Sequence, residues 1–283
     1  MDRYLKYTLL GLVVVFVALP VLGIWMREPG QVEQEQANVM PAPLQSPITT
    51  IDIQDASMVL IPAGEFLQGS NSGAYNEKPE AIVFLDTFSI DKYEVTNRRY
   101  AEFVEQTGHR APSSRYGGMD AFQRADLPVV YVSWSDAVAF CEWEGKSLPT
   151  EAEWEKAARG VVGMVWPWGD DAGSGLANIK GDQDGVKYTA HIGVFENDQS
   201  VYGVSDMAGN VREWVDDWYD QHAYRLRDGE KDIEPEERTT RVLRGGSWTD
   251  SLVNARTTAR FKMLPRYRDT AIGFRCAKSG DSG

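Results

Sequence analysis

Residues 148–160 read Leu-Pro-Thr-Glu-Ala-Glu-Trp-Glu-Lys-Ala-Ala-Arg-Gly and carry the signals that start and stop a helix. Thr150 and Glu153 form a capping box, in which each side chain accepts a hydrogen bond from the backbone N–H of the other residue. Gly160 after Arg159 is a typical helix end, because glycine readily adopts the left-handed conformation that terminates a helix. The stretch predicts a helix that opens at Thr150 and ends at Arg159-Gly160.

Two more helices are predicted on the N-terminal side of this stretch. Each begins with a hydroxyl residue suited to the N-cap, carries apolar residues at helical spacing, and ends at a glycine. The first has Thr96 as its N-cap and ends at Gly108, and the second starts near Ser133 and ends before Gly145.

Short apolar runs at residues 58–62, 81–84 and 88–90 predict strands. After Gly160 the chain is rich in Gly, Asp, Asn and Trp, and no helical period is sustained. The sequence therefore predicts an α+β body with a large share of loop.

The N-terminal residues 1–26 are predicted to be a transmembrane anchor. Residues 7–26 carry no charge and are about as long as a helix that crosses a bilayer. Arg3 and Lys6 precede this segment and acidic residues follow it, so the positive-inside rule places the N-terminus in the cytoplasm. The body is then expected in the periplasm or extracellular space, held at the inner (cytoplasmic) membrane by a single pass. A cleaved signal peptide is the alternative, and it exports the body as well.

The rest of the chain divides into a linker, a body and a tail. Residues 27–55 are rich in Gln, Glu, Pro, Ala and Ser, which predicts an extended tether. Residues 56–279 form one large body, and residues 280–283 form a short tail.

The composition excludes several classes of protein and site. With 29 Lys and Arg against 42 Asp and Glu the formal net charge is −13, which argues against nucleic acid as a partner. Two cysteines are too few for a four-cysteine zinc site or an iron–sulfur cluster. Three histidines leave little room for a histidine-rich metal centre.

Eight short motifs follow one another along the body, including Gly-Asn-Val-Arg-Glu-Trp at residues 209–214 and Arg-Gly-Gly-Ser-Trp at residues 244–248. The other six lie at residues 59–66, 92–97, 128–134, 148–155, 166–170 and 273–277. In this order the motifs resemble the formylglycine-generating enzyme, or sulfatase-modifying factor, family over about residues 56–279. The resemblance implies a compact, loop-rich α+β fold related to C-type lectins, with structural calcium.

The family's founding activity oxidises a cysteine of a sulfatase to formylglycine, with oxygen and a copper ion held by two cysteines. Copper(I) is a soft ion that prefers thiolates, and in the family these cysteines follow the Arg-Gly-Gly-Ser motif. Counted from that motif, this chain keeps Ser247 but has Asp250 and Ala255 at the cysteine positions. Ser247, Asp250 and Ala255 thus occupy the family's active-site region, no copper is expected, and no catalytic residue is assigned.

The two cysteines that remain, Cys141 and Cys276, match positions that pair as a structural disulfide in the family. An exported, oxidising location permits such a bond. A two-thiol redox or copper site is the alternative.

The resemblance also implies two structural calcium sites, each combining side-chain oxygens with backbone carbonyls, as calcium prefers. The first set is Asn178 and Asp184 with the carbonyls of Ile179 and Val186, and the second is Asp206 and Glu213 with the carbonyls of Gly209 and Val211. The alternative is that these residues only make turns in a glycine-rich loop.

Seven arginines concentrate basic charge near the C-terminus of this acidic chain. They are Arg241, Arg244, Arg256, Arg260, Arg266, Arg268 and Arg275. Internal ion pairs that fix loops are one interpretation. The other is an anionic ligand or acidic partner held in the family's substrate cleft.

The resulting hypothesis is a membrane-anchored, exported and non-catalytic protein that binds a protein partner. It would be an accessory subunit, or a binding or maturation factor, of a membrane or periplasmic complex. A periplasmic oxidative tailoring enzyme with non-thiolate chemistry is the alternative. A sulfatase-activating oxidase is disfavoured by the absent cysteines.

Overall fold

The computed structural model describes residues 56–113, 118–173, 175–181, 184–229 and 236–280. These residues belong to one compact unit that spans residues 52–283. The predicted anchor at residues 7–26, the tether and the end of the tail lie outside the described residues. Within the described ranges, no helix has the length and apolar character needed to cross a membrane.

The three predicted helices are confirmed. They are α1 (Asn97–Thr107), α2 (Trp134–Trp143) and α3 (Glu151–Arg159). A short fourth helix, α4 (Ala223–Arg227), was not predicted, because five residues are too few to show a period.

Each predicted N-cap makes the expected hydrogen bond. The Thr150 hydroxyl accepts from the backbone N–H of Glu153, whose carboxylate accepts from the backbone N–H of Thr150, so the capping box is complete. Ser133 forms the same box with Asp136, and Thr96 accepts from the third residue of α1. These local hydrogen bonds start the three helices at the positions that the capping residues predicted.

The N-terminal strands form a bent ribbon. Its strands are β1 (Met58–Ile61), β2 (Gly64–Gln68), β3 (Ala81–Leu85) and β4 (Phe88–Asp91). β1 pairs with β4 and β2 pairs with β3, both antiparallel. The three predicted runs correspond to β1, β3 and β4, so the mixed α+β class is confirmed.

A second sheet was not predicted as strands. Its members are β5 (Arg212–Trp218), β6 (Arg241–Arg244), β7 (Phe261–Met263) and β8 (Ile272–Phe274), in the order β7-β6-β5-β8. β5 and β8 are parallel, and the other pairs are antiparallel. A last strand, β9 (Ala277–Ser279), adds to β4.

The core lies between these sheets and the helices. On one side Phe140 of α2 packs with Trp214 of β5 and Phe274 of β8, all fully buried. On the other side Trp154 of α3 packs against β5 and β6. Burial of large aromatic side chains is the main stabilising contribution in a fold with such short strands.

Cys141 and Cys276 form a disulfide, as the family resemblance implied. Their Cα atoms are 5.6 Å apart across a sequence separation of 135 residues. Both residues are fully buried, so the bond joins α2 to the segment that precedes β9.

Candidate functional site

The candidate site is built on the loop that follows β6. Gly245 and Gly246 both have positive φ angles, +93° and +73°, which turn the chain sharply. A Cβ atom on Gly246 would lie 2.9 Å from the Cα atom of Ala255, so a larger residue would not fit there. The turn therefore buries Ser247 completely.

Ser247, Asp250 and Arg212 form a closed hydrogen-bond network. The Ser247 hydroxyl donates to Asp250 Oδ2 at 2.7 Å, and Asp250 Oδ1 accepts from Arg212 Nη2 at 2.5 Å. Thr249 Oγ1 lies 2.8 Å from Ser247 Oγ and extends the network towards solvent. Asp250 is almost fully buried, so its charge is balanced mainly by Arg212.

Ser247 and Asp250 hydrogen-bond to each other, whereas Ala255 packs against the Gly246 turn and has no part in this network. Ala255 is fully buried in an apolar cluster with Trp166 and Ala208. The sulfur atoms of both cysteines are in the disulfide, and the side-chain oxygens of Ser247 and Asp250 are already hydrogen-bonded. These donors do not fit a copper ion held by thiolates.

An open cleft lies beside this network. It has a volume of about 670 Å³. Its walls are Lys180, Gly181, Gly185, Val186, Lys187, Trp248 and Thr249. Neither Ser247 nor Asp250 lines it, so the two residues that the sequence placed in the active-site region lie behind the cleft wall.

Trp248 is the rigid wall of the cleft. Its backbone N–H donates to the Asn210 carbonyl at 2.9 Å, and its indole Nε1 donates to the Thr270 carbonyl at 3.1 Å. Its ring meets the ring of Tyr188 edge to face, with centroids 5.4 Å apart. A tryptophan fixed at three points offers a preformed apolar surface to a ligand.

Two lysines give the cleft its charge. Lys180 and Lys187 are exposed, and neither ammonium forms a salt bridge with a carboxylate among the residues that the structure describes. The backbone N–H of Lys180 donates to the Asp250 carbonyl at 2.7 Å, which joins this side of the cleft to the closed network. Sequence reasoning missed both lysines because it searched for basic charge among the arginines.

The first predicted calcium set lies in the loop that forms the cleft. Asp184 accepts from the backbone N–H groups of Ile179 and Val186, at 3.2 and 2.9 Å. Asn178 Nδ2 is hydrogen-bonded, but Asn178 Oδ1 is buried and has no hydrogen-bond partner within the described part of the chain. A buried carbonyl oxygen without a hydrogen-bond donor suits a hard cation, and Asp184 is bonded to the N–H of Ile179, the residue after Asn178, so this set fits calcium.

The second predicted set already has a counter-ion. The Arg275 guanidinium contacts both carboxylate oxygens of Glu213 at 2.8 Å and donates to the Asp206 carbonyl at 3.2 Å. Trp154 Nε1 also donates to Glu213, at 2.9 Å. Glu213 is thus engaged by protein donors, and this set fits calcium less well than the first.

The acids around Arg275 nevertheless outnumber the cations. Burial raises the pKa of Asp206 to about 7, against the opposing effect of the Gly193 N–H and Arg275. Burial and the neighbouring carboxylates also raise the pKa of Glu94 and of Asp198 well above the usual range. This buried region is therefore short of positive charge.

The C-terminal arginines mostly form internal ion pairs, as one of the two interpretations predicted. The pairs are Arg244 with Glu151 and Glu155, Arg256 with Glu77, Arg260 with Glu151, Arg268 with Asp136, and Arg275 with Glu213. Arg241 stacks between the rings of Trp134 and Trp218, and Arg266 is exposed. None of the seven lines the cleft.

One group of three candidate metal ligands converges within the described residues, but it is not a metal site. Asp91, Glu144 and Cys276 lie within 4.8 Å of one another. Cys276 is in the disulfide, and the two carboxylates are paired with Arg99 and Lys146. No histidine takes part in a group of this kind in the described ranges.

Comparisons with known proteins confirm the family resemblance. A family model described as sulfatase-modifying factor enzyme 1-like domain matches residues 44–280. The mouse protein named inactive C-alpha-formylglycine-generating enzyme 2 is 32% identical, over 80% of this chain and 87% of that protein. The formylglycine-generating enzyme of Streptomyces coelicolor is 33% identical, over 85% of this chain and 93% of that protein.

Among solved structures, that of PvdO from Pseudomonas aeruginosa matches with a TM-score of 0.65 and 29% identity. The match covers 79% of this chain and 94% of that chain. A relative named as an enzyme and one named as inactive are about equally similar to this chain, at 33% and 32%. Overall sequence identity therefore does not show whether this chain is active. That question depends on the residues of the site.

Proposed function

We propose, from the premise that the chain belongs to the sulfatase-modifying factor family, that it is a non-oxidase member that binds a partner in its cleft. One observation carries the proposal. Of the two positions that the resemblance assigns to the family's thiols, Asp250 is held in a buried hydrogen-bond network and Ala255 lies in an apolar cluster, whereas the cleft beside them is open and lined by two lysines. The chain would therefore keep a cleft that can bind a partner, although it lacks the cysteines that the family's oxidation requires.

The chemistry of the cleft favours an acidic ligand with an apolar part. Lys180 and Lys187 supply two exposed ammonium groups, neither of which forms a salt bridge within the described chain, and Trp248 supplies an aromatic wall. The Nζ atom of Lys187 lies over the ring of Tyr188, 5.2 Å from the ring centroid. An ion pair with an exposed lysine contributes about 0.2–1 kcal/mol, so two such pairs would favour an acidic ligand by up to about thirtyfold. An extended segment of a partner protein with carboxylates near an apolar side chain meets this description.

The proposed setting is outside the cytoplasm, at the inner membrane. The buried disulfide supports an oxidising compartment, because such bonds rarely persist in the cytosol. The uncharged residues 7–26 would anchor the body, and residues 27–55 would tether it. In this setting the chain would act as an accessory subunit or maturation factor of a membrane or periplasmic complex.

Calcium is proposed as a structural component of the same cleft. Asn178 and Asp184 would hold it with the carbonyls of Ile179 and Val186. Val186 lines the cleft, so an ion held by this loop would set the spacing of the two lysines. The ion would supply only positive charge to oxygen ligands.

The alternative, an oxidative tailoring enzyme with non-thiolate chemistry, gains no support from the site. It would need a reactive group facing the cleft. Ser247 and Asp250 are buried and bonded to each other instead.

The test uses the full-length protein in detergent and two short synthetic peptides with the same apolar residues, one with glutamates and the other with glutamines. Isothermal titration calorimetry is expected to show binding of the glutamate peptide with about tenfold preference. The double variant Lys180→Gln, Lys187→Gln should remove this preference.

Lys278→Gln is the matched control, because Lys278 is equally exposed but lies on β9 and not in the cleft. It should leave the preference unchanged. Equal affinity for both peptides in the unmodified protein would contradict an acidic ligand. Equal loss in the control and the double variant would show that net charge acts, and not the cleft.

A further inference from the structure

β3 is an edge strand whose apolar residues face outwards. Ile82 and Phe84 are 69% and 61% exposed, which is unusual for side chains of this size in a strand. The sheet that contains β3 has two strands, and β2 is its other member. No charged residue occurs within β3.

The backbone of the same two residues also faces outwards. The N–H of Leu67 on β2 donates to the Val161 carbonyl, so it points away from β3. Leu67 lies opposite Ile82 in the antiparallel register, which makes this a non-hydrogen-bonded pair. The N–H and C=O of Ile82 therefore point away from β2.

The alternation of the ladder extends this result to Phe84. Phe84 lies two residues along the strand, opposite Glu65, so its N–H and C=O also point outwards. Among the residues that the structure describes, no hydrogen bond outside the β2–β3 ladder involves the backbone of either residue. Ile82 and Phe84 thus offer four backbone groups and two apolar side chains to an added strand.

Natural edge strands usually carry charges, bulges or prolines that prevent such pairing. β3 has none of these within its five residues. The neighbouring strand β4 shows how the edge is closed elsewhere in the ribbon, since β9 pairs with it. The unpaired edge of β3 lies on the N-terminal side of the residues of β4 that pair with β9.

The charges around β3 determine which occupant fits. Glu65, Glu80 and Asp86 surround the strand, and none forms a salt bridge in the described ranges. Lys78 is the nearest cation in sequence, so the surroundings stay net acidic. An anionic membrane surface would be repelled.

A second copy of the chain is disfavoured by the same charges. A symmetric pair centred on Val83 would place Ile82 opposite Phe84 of the other copy and satisfy all four backbone groups. It would also place Glu80 opposite Asp86 at both ends, and like charges directly opposite each other are destabilising.

We propose that the β3 edge binds an extended segment of a partner protein by strand addition, with alternating apolar residues flanked by lysine or arginine. Backbone hydrogen bonds to Ile82 and Phe84 would supply affinity, and the flanking cations would pair with Glu80 and Asp86. This surface uses none of the residues that line the cleft.

The test measures amide hydrogen exchange of residues 80–86 by mass spectrometry in the full-length protein in detergent. Two synthetic peptides share a Thr-Val-Thr-Val-Thr core, one flanked by lysines and the other by glutamates. The lysine peptide is expected to slow exchange in this segment, and the glutamate peptide is not.

Two variants separate the contributions. Phe84→Pro removes an outward N–H that the β2 ladder does not use, so the protein should still fold but lose the protection. Asp86→Lys should weaken binding of the lysine peptide by about three- to fivefold, whereas Glu196→Lys, an exposed loop residue, should not.

The following outcomes would overturn the proposal. If residues 80–86 exchange slowly without peptide and this protection disappears on dilution, the β3 edge pairs with a second copy of the chain. If these residues exchange slowly without peptide at every protein concentration, the β3 edge pairs with another segment of the same chain. Equal protection by both peptides would refute the charge argument, and protection by neither would show that the edge does not accept a strand.

Discussion

The closed network around Asp250 and the open cleft beside it share one loop but differ in electrostatics. In the network each charged group has an internal partner, and Ser247 and Asp250 are buried. In the cleft the two lysines face solvent and form no salt bridge within the described chain. One loop thus carries a buried, charge-balanced network and an exposed cationic wall, and the proposed function assigns ligand binding to the exposed wall.

The network around Asp250 also shows how the fold holds a buried carboxylate at a position where the family resemblance predicts a cysteine. The carboxylate of Asp250 pairs with the guanidinium of Arg212, with 2.5 Å between Nη2 and Oδ1. Arg212 in turn lies over the ring of Phe261, with 4.1 Å between the guanidinium carbon and the ring centroid. The buried carboxylate is stable in this position because β5 presents an arginine to it.

The largest expected effect is the loss of the closed network. Asp250→Ala would leave Arg212 and Ser247 without their partner and should lower the free energy of unfolding by about 3 kcal/mol. Thermal unfolding followed by near-UV circular dichroism measures it. Asp250→Asn, which keeps the shape and an acceptor oxygen, should cost less.

A loss below about 0.5 kcal/mol in Asp250→Ala would mean that the network does not stabilise the fold. Asp250 would then not be held mainly by Arg212 and Ser247, and its carboxylate would become a candidate catalytic group.

The next largest effect concerns calcium at the cleft loop. Chelation should lower the free energy of unfolding by about 2–3 kcal/mol if the ion is present at a hundredfold excess over its dissociation constant. Affinity for the glutamate peptide should fall as well, because an ion held by Asn178 and Asp184 would fix the loop that carries both lysines. Calorimetry and thermal unfolding with and without chelator measure the two effects.

Asp184→Ala should abolish the response to chelator, and Asp171→Ala, in another exposed loop, should preserve it. A response that persists unchanged in Asp184→Ala would place any calcium elsewhere and separate it from the cleft.

The smallest effect tests the boundary between the two regions. Thr249 lines the cleft and also contacts Ser247 at 2.8 Å. Thr249→Val should lower the free energy of unfolding by about 1 kcal/mol and change the peptide affinity less than twofold. A larger change in affinity than in stability would show that the network contributes directly to ligand recognition.

The fold was predictable where local chemistry fixes it. The caps at Thr96, Ser133 and Thr150 place three helices because they depend on residues three positions apart. The sheet that carries β5 and β6 was not predicted, since its strands pair residues far apart in sequence. Its longest strand, β5, reads Arg-Glu-Trp-Val-Asp-Asp-Trp and has four charged residues in place of an apolar run.

The site followed the same division. The Arg-Gly-Gly-Ser motif located Ser247, Asp250 and Ala255 in the sequence. It did not predict which residues they contact in the fold. The Arg212 partner of Asp250 lies 38 residues away, so the pairing depends on the sheet. The cleft lysines were missed because their role comes from a neighbouring Trp248 that is brought near them only by the fold.

The most direct measurement asks whether the region around Asp250 can still oxidise a thiol. The full-length protein, incubated with copper(I), oxygen and dithiothreitol as the reductant, is mixed with an equimolar Cys-x-Pro-x-Arg peptide, and mass spectrometry measures the peptide aldehyde. The closed network predicts that the peptide keeps its cysteine at every time point. Aldehyde in an amount comparable to the protein would contradict it and return the chain to the oxidases of its family.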